Sequence, residues 1–446
     1  MLDWEKELSG WLAPFLAKLG HKARRRMCPL YVAGLIGPGD RKSIGPMAEQ
    51  VAPGDYDQLH HFVSAGVWDE APLERELANQ ADRLVGGADA FLVIDDTTLP
   101  KKGTHSVGVA PQYASALGKT ANCQTLVSLT LARGEVPVMV GLRLFLPESW
   151  TADQARLERA GVPVEYRSAR AKSEIALAEL DRLIAAGVRF RAALADAGYG
   201  MSAEFRQALS ARELAWAVGI PRHQKVYPRD VELVFPVAAR GRPRKRHVPN
   251  VLSVGAEDML AANAKWRTLT WRKGTKGPLK ARFAALRVRV ADGPPQRIGD
   301  KGMQHMPGEE VWLVGERRAS GEQKYYLANL PADAKLKTLA ATIKARWVCE
   351  QAHQQLKEEL GLDHFEGRSW RGLHRHALLA MIAYAFLQHL RLAAASGEKK
   401  NLGRSASTDP AGPAKGHRRR PRARAALPMS TLPQTSPQSA RMILPK

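Results

Sequence analysis

Two short apolar runs that each end in aspartate constrain the fold of this chain more than any other feature. The first, residues 91–94, is followed by Asp95 and Asp96, and the second, residues 190–195, is followed by Asp196. Continuous apolar runs of this length are typical of strands that are buried on both faces of a sheet. The pattern therefore predicts an α/β core whose strands carry carboxylates at their carboxyl-terminal ends.

The segments between and after these runs predict a mixed sheet. The apolar spacing indicates further strands at 123–132, 136–146 and 214–220, and helices at 171–186 and 202–211. The first two of these strands flank a turn at Arg133 and Gly134, as in an antiparallel hairpin. Because helices connect them, we expect the later strands to lie parallel to the first. Because groups at the carboxyl ends of adjacent parallel strands converge on one crevice, we expect Asp96 and Asp196 to meet there.

Composition divides the rest of the chain. Residues 1–85 have helical spacing with basic clusters between short helices, which suits contact with a DNA backbone but fits a solvated face about as well. The segment from 396 onward is basic and too rich in Ser, Pro and Gly to bury a core. We therefore predict a helical DNA-binding region at 1–85, a catalytic core in two parts at 86–220 and 332–395, a β-rich insertion domain at 221–331 and a disordered basic tail at 396–446.

The chain carries a large excess of positive charge. Its 446 residues include 67 Lys and Arg against 44 Asp and Glu, which gives a formal charge of +23. An excess of this size usually marks a polyanionic partner, and nucleic acid is the first candidate. The alternative is a soluble basic protein that has no such ligand.

Cysteine usage and the amino terminus predict a cytoplasmic protein. Cys28, Cys123 and Cys349 are far apart and form no C-x-x-C pair, so neither a disulfide framework nor a zinc knuckle is expected. Acidic residues occupy the start of the chain where a signal peptide would be basic. The longest apolar stretch, 377–387, is about half of what a bilayer needs, so we expect a buried helix and no membrane association.

A third acidic residue lies in a helical segment at 339–360. Arg346 and Glu350 are four positions apart and Lys357 follows after seven more, so one helical face presents an anion between two cations. Such a face could complete a metal site with the two aspartates while the cations hold phosphates. The alternative is a set of surface ion pairs on an amphipathic helix, which is the commoner origin of such a triple.

Three carboxylates have a specific use in phosphodiester chemistry. Two Mg²⁺ ions close together require several anionic oxygens to offset their charge, and they clamp the attacking and leaving oxygens of an in-line displacement at phosphorus. We therefore predict that Asp96, Asp196 and Glu350 hold two Mg²⁺ ions per active site, for which Mn²⁺ can substitute.

Longer phrases resemble a known family. The stretches Asp96-Thr97-Thr98 and 195–200 (ADAGYG), and the spacing of Arg346, Glu350 and Lys357, are similar to the three motifs of DDE insertion-sequence transposases. The phrases PKKGTHSVGVAPQY (100–113), LGKTANCQ (117–124) and LKEELGLDHFEGRSWRGLHRH (356–376) resemble the insertion sequence 701 family of the insertion sequence 4 superfamily, over about residues 28–392.

The resemblance implies a ribonuclease H-like mixed-sheet core that is interrupted by a β-rich insertion. It also implies that Asp96, Asp196 and Glu350 are metal ligands and that Arg346 and Lys357 contact DNA near the cleaved phosphate. The tyrosine of the family signature is replaced by Ile343. Neighbours on a strand point to opposite faces, so only one of Asp95 and Asp96 can enter the crevice; we choose Asp96 because two threonines follow it.

Further DNA contacts are expected outside this triad. In the insertion, basic residues alternate with Trp266 and Trp271, a pattern that suits phosphate contact with base stacking, although tryptophans that fill a small β core fit equally well. The residues we assign to DNA are Arg346, Lys357, Lys101, Lys102, Lys119, Arg244, Lys245, Arg246, Trp271 and Arg272.

The sequence thus predicts a cut-and-paste transposase. We expect it to recognise terminal inverted repeats in double-stranded DNA through residues 1–85, to cleave strands at the element ends and to join them to target DNA. Two ends must be processed together, so we expect a homodimer, on family analogy alone. The rivals are a catalytically inactive, transposase-derived DNA-binding protein and a structure-specific nuclease that cleaves without joining.

Overall fold

The computed structural model describes residues 3–114, 117–235, 246–274, 277–298 and 302–404. The chain forms two units, Met1–Ala395 and Ser396–Lys446. Almost all of the predicted basic tail and the central part of the basic cluster at 240–246 lie outside the described residues.

Helices precede, connect and follow the strands. They are α1 (Asp3–Leu16), α2 (Lys22–Ile36), α3 (Ile44–Val51), α4 (Tyr56–Ser64), α5 (Ala71–Val85), α6 (Glu148–Thr151), α7 (Gln154–Arg159), α8 (Lys172–Ala185), α9 (Ala197–Gly200), α10 (Ala203–Ala211), α11 (Ala256–Asn263), α12 (Leu336–Lys344), α13 (Trp347–Glu358) and α14 (Trp370–Arg404). The helical segment predicted at 339–360 is therefore two helices, α12 and α13. The break falls at Ala345 and Arg346, so Glu350 lies in the first turn of the second helix.

Twelve of the described strands form one large mixed sheet, and two short strands form a separate antiparallel pair. The strands are β1 (Ala90–Pro100), β2 (Ala110–Ala114), β3 (Lys119–Arg133), β4 (Val136–Phe145), β5 (Ala192–Ala195), β6 (Trp216–Ile220), β7 (Lys225–Pro228), β8 (Leu233–Val234), β9 (Val248–Pro249), β10 (Val254–Gly255), β11 (Arg267–Gly274), β12 (Gly277–Arg297), β13 (Met303–Arg317) and β14 (Gln323–Ala328). The order in the large sheet is β10-β7-β12-β13-β14-β6-β5-β1-β3-β2, with β4 paired to β3 and β11 to β12.

The pairing around β1 confirms the topology predicted for the core. β5 runs parallel to β1 and to β6, so the two aspartate-bearing strands are neighbours that point the same way. β3 and β4 form the predicted antiparallel hairpin, with Gly134 at a positive φ of 60° in the turn. The mixed α/β architecture therefore follows from the crossovers, as expected for parallel strands that are joined by helices.

The strands between residues 221 and 331 extend the core sheet. β14 pairs antiparallel with β6, and β13 and β12 continue outward from it. The insertion thus shares backbone hydrogen bonds with the catalytic core, which the sequence analysis did not foresee. Periodicity reports that a segment is a strand, but it does not report which sheet edge the strand joins.

Each face of the sheet near β1 carries a different layer of helices. On one face, Val93, Leu194 and Ala217 pack with Ile343 of α12 and Cys349 of α13. On the other face, the alternate residues of β1 and β5 belong to the main core, which includes α8 and α10. Side chains at successive strand positions therefore enter different surroundings.

α14 is the central helix of the first unit. By length and composition Trp370–Ala395 would pass for a membrane span, but most of its apolar residues are buried within the protein, as in a core helix. Arg375 is fully buried and donates to Glu70 and to the carbonyl of Trp68, so the amino-terminal helices pack on α14. The predicted buried helix at 377–387 is confirmed.

Two buried histidines of α14 predict a loss of stability on mild acidification. His374 accepts from the Leu144 amide and donates to the Trp370 carbonyl, and His376 bonds to the Tyr31 hydroxyl and the Gly361 carbonyl. Both are buried, and this burial lowers the pKa of each histidine to about 4. The unfolded chain, with a histidine pKa of about 6.5, then binds more protons than the folded chain below that pH.

The free energy of unfolding should therefore be highest above pH 6.5 and fall as pH drops toward 4, by up to about 3 kcal/mol for each histidine. Urea unfolding midpoints at pH 7.5, 6.0 and 5.0 measure this loss above the range in which most carboxylates titrate. His376→Gln should flatten the dependence, whereas replacement of the exposed His105 should leave it unchanged. A midpoint that is constant from pH 7.5 to 5.0 would contradict the burial argument.

Candidate active site

The first acidic pair lies inside β1. Asp95 and Asp96 occupy its sixth and seventh positions, because pairing with β3 continues to Pro100. The apolar run had suggested that the strand ends at these aspartates, but the strand continues beyond them. Since successive residues of a strand point to opposite faces, the two carboxylates enter different layers.

Asp95 points to the face covered by α13. One of its carboxylate oxygens accepts from Arg346 Nη1 at 2.6 Å and from Cys349 Sγ at 3.1 Å. Opposite Asp95 on β3, Ser128 is 2.7 Å from His353 Nε2 of the same helix. Asp95, and not Asp96, thus lies with the helix that carries Glu350.

Asp96, the residue chosen from the sequence, points to the other face. Its Oδ1 accepts from the Tyr199 hydroxyl at 2.5 Å, and its Oδ2 is 2.6 Å from Lys172 Nζ. Two following threonines guided that choice, but they do not determine which face a strand residue occupies. The sequence had indicated no role for Lys172 or Tyr199. The one available signal was that Tyr199 lies three residues after Asp196.

Asp196 begins the short helix α9 directly after β5. Its backbone is extended (φ −81°, ψ −175°), so the alternation of β5 continues and Asp196 falls on the face of Leu194, which is also the face of Asp95. Its Oδ1 accepts from the amides of Gly198 (3.0 Å) and Tyr199 (3.3 Å). Burial raises the pKa of Asp196, and the negative charge of Asp95 raises it further.

Arg346 connects Glu350 to Asp95. Because the helix breaks here, Arg346 is the cap residue of α13, and its guanidinium holds Asp95 through Nη1 and Glu350 through Nη2 at 3.0 Å. The four-residue spacing read from the sequence therefore does form an ion pair. Glu350 itself remains 65% exposed and reaches the open side of the site.

These groups open onto one large cleft. Asp196, Arg346 and Glu350 line it together, and its volume is about 760 Å³. The other charged residues of its lining are Arg222, Glu257, Arg318, Glu322, Lys324 and Lys344. The lining therefore combines four carboxylates with five guanidinium and ammonium groups, and such cations can contact the oxygens of a phosphodiester.

The donor set fits a hard divalent cation. Carboxylate oxygens are the ligands that Mg²⁺ and Mn²⁺ prefer, and the pKa of Asp196, which is raised by burial and then by the negative charge of Asp95, is one that a bound cation would lower. The guanidinium of Arg346 already provides positive charge between Asp95 and Glu350. Among the described residues, no three His, Cys, Asp or Glu side chains are grouped closely enough to hold a metal ion. The carboxylate chemistry therefore suits a divalent cation, whereas the described positions of Asp95 and Glu350 are set by the Arg346 guanidinium between them.

The remaining cations predicted to contact DNA divide into two groups. Lys102, Lys119 and Arg246 are exposed, and Lys357 is half-buried on α13. Lys101 instead donates to the carbonyls of Asp363 (3.0 Å) and Phe365 (2.7 Å) and so links β1 to the segment after α13. Arg244 and Lys245 lie outside the described residues.

Trp271 and Arg272 of β11 are engaged within the protein. The Arg272 guanidinium lies 3.7 Å over the Trp347 ring and its Nε is 2.7 Å from Glu135. Lys344 Nζ lies 4.6 Å over the Trp271 ring. These contacts correct the expectation that both residues are free for DNA, because they hold β11 against α12 and α13. Of the two interpretations of the tryptophan pattern, core packing is the one that the contacts favour.

Trp271→Ala should therefore destabilise the fold without weakening electrostatic DNA binding. We expect a loss of roughly 2 kcal/mol in the free energy of unfolding from the lost packing and cation–π contact. Lys102→Ala should behave in the opposite way, with unchanged stability and a smaller dependence of DNA affinity on salt. Urea unfolding and binding titrations at several salt concentrations separate the two. Normal stability with lost DNA binding in the tryptophan variant would contradict the packing role.

Parts of this chain are similar in sequence to known proteins. The family model described as DDE superfamily endonuclease matches residues 14–278, more than half of the chain. A probable transposase for insertion sequence element IS701 from Microchaete diplosiphon is 30% identical over 188 residues, which cover 42% of this chain and 46% of that protein. The match thus spans less than half the length of that relative.

One solved structure aligns with this chain at low similarity. The cryo-EM structure of the piggyBac transposase synaptic complex with hairpin DNA aligns with a TM-score of 0.37 and 12% identity, over 89% of this chain and 74% of that chain. A score this low does not establish a common fold. The resemblance read from the sequence motifs is confirmed by the family model and by the IS701 relative. This chain therefore belongs to the DDE superfamily endonuclease family.

Proposed function

We propose that this chain is a transposase that cuts DNA strands at the ends of its element and joins the freed 3′ ends to target DNA in a cut-and-paste reaction. One observation carries the proposal: Asp196 and Glu350, from elements far apart in sequence, line the same cleft, and Arg346 connects Glu350 to Asp95. A ribonuclease H-like core is part of the proposal, supported by the parallel β1, β5 and β6 and by the hairpin beside β1.

The proposed metal ligands are Asp196, Glu350 and one aspartate of β1. The contacts favour Asp95 over Asp96, because Asp95 shares the face of α13 and is the largest charge influence on Asp196. Two Mg²⁺ or Mn²⁺ ions bound to these carboxylates would supply the charge and orientation for in-line displacement at phosphorus.

The chain's own residues have separate tasks in this reaction. The Gly198 and Tyr199 amides orient the Asp196 carboxylate, and Arg346 holds the start of α13 against β1. Arg222 and Lys324 along the cleft are suited to hold phosphates of the strand that enters, as a forked and a compact donor beside the acids. The exposed Lys102, Lys119, Arg246 and the half-buried Lys357 would extend this contact along the duplex.

The partners follow from the reaction. We propose that residues 1–85 contribute to recognition of the terminal inverted repeats and that two copies act together on two ends. The supporting observation is that the exposed Arg25 and Arg26 of α2 lie on a helical layer that is fixed to α14 through Arg375 and His376. A bacterial cytoplasmic location, near the nucleoid, accords with this DNA substrate.

A cleavage and joining assay tests the proposal. Labelled duplexes that carry the inverted repeats flanking the gene are incubated with purified protein and Mg²⁺, Mn²⁺, Ca²⁺ or EDTA. We expect strand cleavage at the repeat ends and joined products with Mg²⁺ or Mn²⁺, and neither with EDTA. Binding without cleavage under every condition would instead identify an inactive DNA-binding derivative, and cleavage without joining would identify a nuclease. Either result overturns the proposed function.

A further inference from the structure

Asp96 lies beneath the cleft with both of its carboxylate oxygens engaged. Oδ1 accepts from the Tyr199 hydroxyl and Oδ2 pairs with the Lys172 ammonium. Tyr199 is only 4% exposed, and its ring packs on Phe205 with centroids 5.5 Å apart. A hydroxyl buried in this way needs a hydrogen-bond partner, and within the described residues Asp96 supplies it.

Tyr199 belongs to the turn that orients Asp196. The Tyr199 amide donates to Asp196 Oδ1 while its hydroxyl, at the other end of the side chain, donates to Asp96. Gly200 of the same turn packs so closely on β6 that an added Cβ would lie 2.0 Å from the Gly219 carbonyl oxygen. The turn is therefore fixed at its side chain by β1 and at its backbone by β6.

Lys172 adds a third attachment. It is the first residue of α8, and its ammonium lies 5.4 Å over the Phe145 ring at the end of β4. Asp96 thus connects the start of α8, the strand β1 and the turn after β5.

We propose that Asp96, Tyr199 and Lys172 form a positioning network that holds the Asp196 carboxylate toward the cleft. The inference rests on the proposed function, because it assigns Asp196 to the reaction. As a metal ligand, Asp96 would have to share or lose its contacts with the buried Tyr199 hydroxyl and the Lys172 ammonium, and it lies on the sheet face opposite Asp95 and Asp196. Asp96 acts through Asp196 and does not contact the substrate.

The network predicts a distinct pattern among conservative variants. Tyr199→Phe removes only the hydroxyl, and Asp96→Asn replaces the charged acceptor by a weaker neutral one and removes the charge that pairs with Lys172. Both should speed amide hydrogen exchange in peptides covering 196–201 and lower the cleavage rate about 10- to 100-fold, as for residues that orient metal ligands. The KM for DNA and the number of Mn²⁺ ions bound should stay unchanged. Asp95→Asn should leave this exchange unchanged and weaken Mn²⁺ binding.

The experiment combines hydrogen-exchange mass spectrometry of the metal-free full chain with Mn²⁺ titration followed by electron paramagnetic resonance. Tyr113→Phe is the matched control, since it deletes the hydroxyl of a tyrosine that is 66% exposed on β2. The expected result is faster exchange at 196–201 in the Tyr199 and Asp96 variants only. Loss of a bound Mn²⁺ ion in Asp96→Asn, or unaltered exchange in both variants, overturns the network.

The two proposals fail differently in this design. If the wild-type chain neither binds Mn²⁺ nor cleaves DNA, the proposed function is wrong. The hydrogen-exchange measurement still tests whether the turn is attached to Asp96. Conversely, the wild-type chain could cleave DNA normally while the Asp96→Asn variant loses a bound Mn²⁺ ion. That result would support the proposed function and contradict the positioning role of Asp96.

Discussion

Asp196→Asn should reduce metal-dependent cleavage of end DNA by about a thousandfold or more, within the range seen when a catalytic group is removed. Asparagine keeps an oxygen that can accept from the Gly198 and Tyr199 amides, so the turn should remain folded. It removes the negative charge that the site directs at a cation. The affinity for the same DNA should change by less than about twofold, which corresponds to the small free energy of one surface ion pair. Initial cleavage rates with Mg²⁺ and gel-shift titrations measure the two quantities.

A matched control for this variant exists on the surface. Asp153 also caps a short helix, by accepting from the Arg156 amide at 2.9 Å, and is exposed outside the cleft. Asp153→Asn makes the same chemical change and should leave cleavage intact. If Asp196→Asn retained near-normal cleavage, Asp196 could not be a metal ligand and the proposed site would be wrong.

Among substitutions at the site that add or remove one heavy atom, Gly200→Ala should lower the free energy of unfolding the most. The added Cβ would lie 2.0 Å from the Gly219 carbonyl oxygen and 2.9 Å from Val218 Cβ, distances at which backbone must move. We expect the free energy of unfolding to fall by roughly 3 kcal/mol, the upper part of the range for overpacking. Cleavage should fall with it, because the strain acts on the turn that carries Asp196.

Gly10→Ala provides the contrast. Gly10 lies inside α1 with no atom within 4 Å of an added Cβ, so alanine should stabilise the chain by about 0.5–1 kcal/mol through its helix propensity. Chemical unfolding of both variants compares the same substitution in open and closed surroundings. Equal midpoints for the two variants would show that the close approach of α9 to β6 is relaxed in solution.

The prediction of the sheet core succeeded because its signals are local. An apolar run, a turn at Arg133 and Gly134, and helical spacing at 171–186 each depend on a few neighbouring residues, and they recovered β1, the hairpin of β3 and β4, and α8. The break between α12 and α13 was missed since no proline or glycine marks it. Its consequence is functional, because it makes Arg346 a cap residue that reaches Asp95.

Contacts between distant elements account for the remaining differences. Both faces of β1 are apolar before Asp95, so alternation could not show which aspartate faces α13. Trp271 and Arg272 carry the composition of a DNA-binding surface, but β11 folds onto α12 and α13 and their side chains are used there. Lys101 was likewise assigned to DNA and instead binds carbonyls across the fold.

The sequence by itself determined the family, the mixed α/β class and the short set of acids from which the site is built, because each is encoded in contiguous residues or in helical and strand periods. Only the tertiary structure decided that Asp95 lies with Arg346 and Glu350, that Asp96 is held by Tyr199 and Lys172, and that the insertion strands extend the core sheet. Those outcomes depend on which faces meet when the elements pack. Packing partners separated by a hundred or more residues leave no periodic signal in the chain.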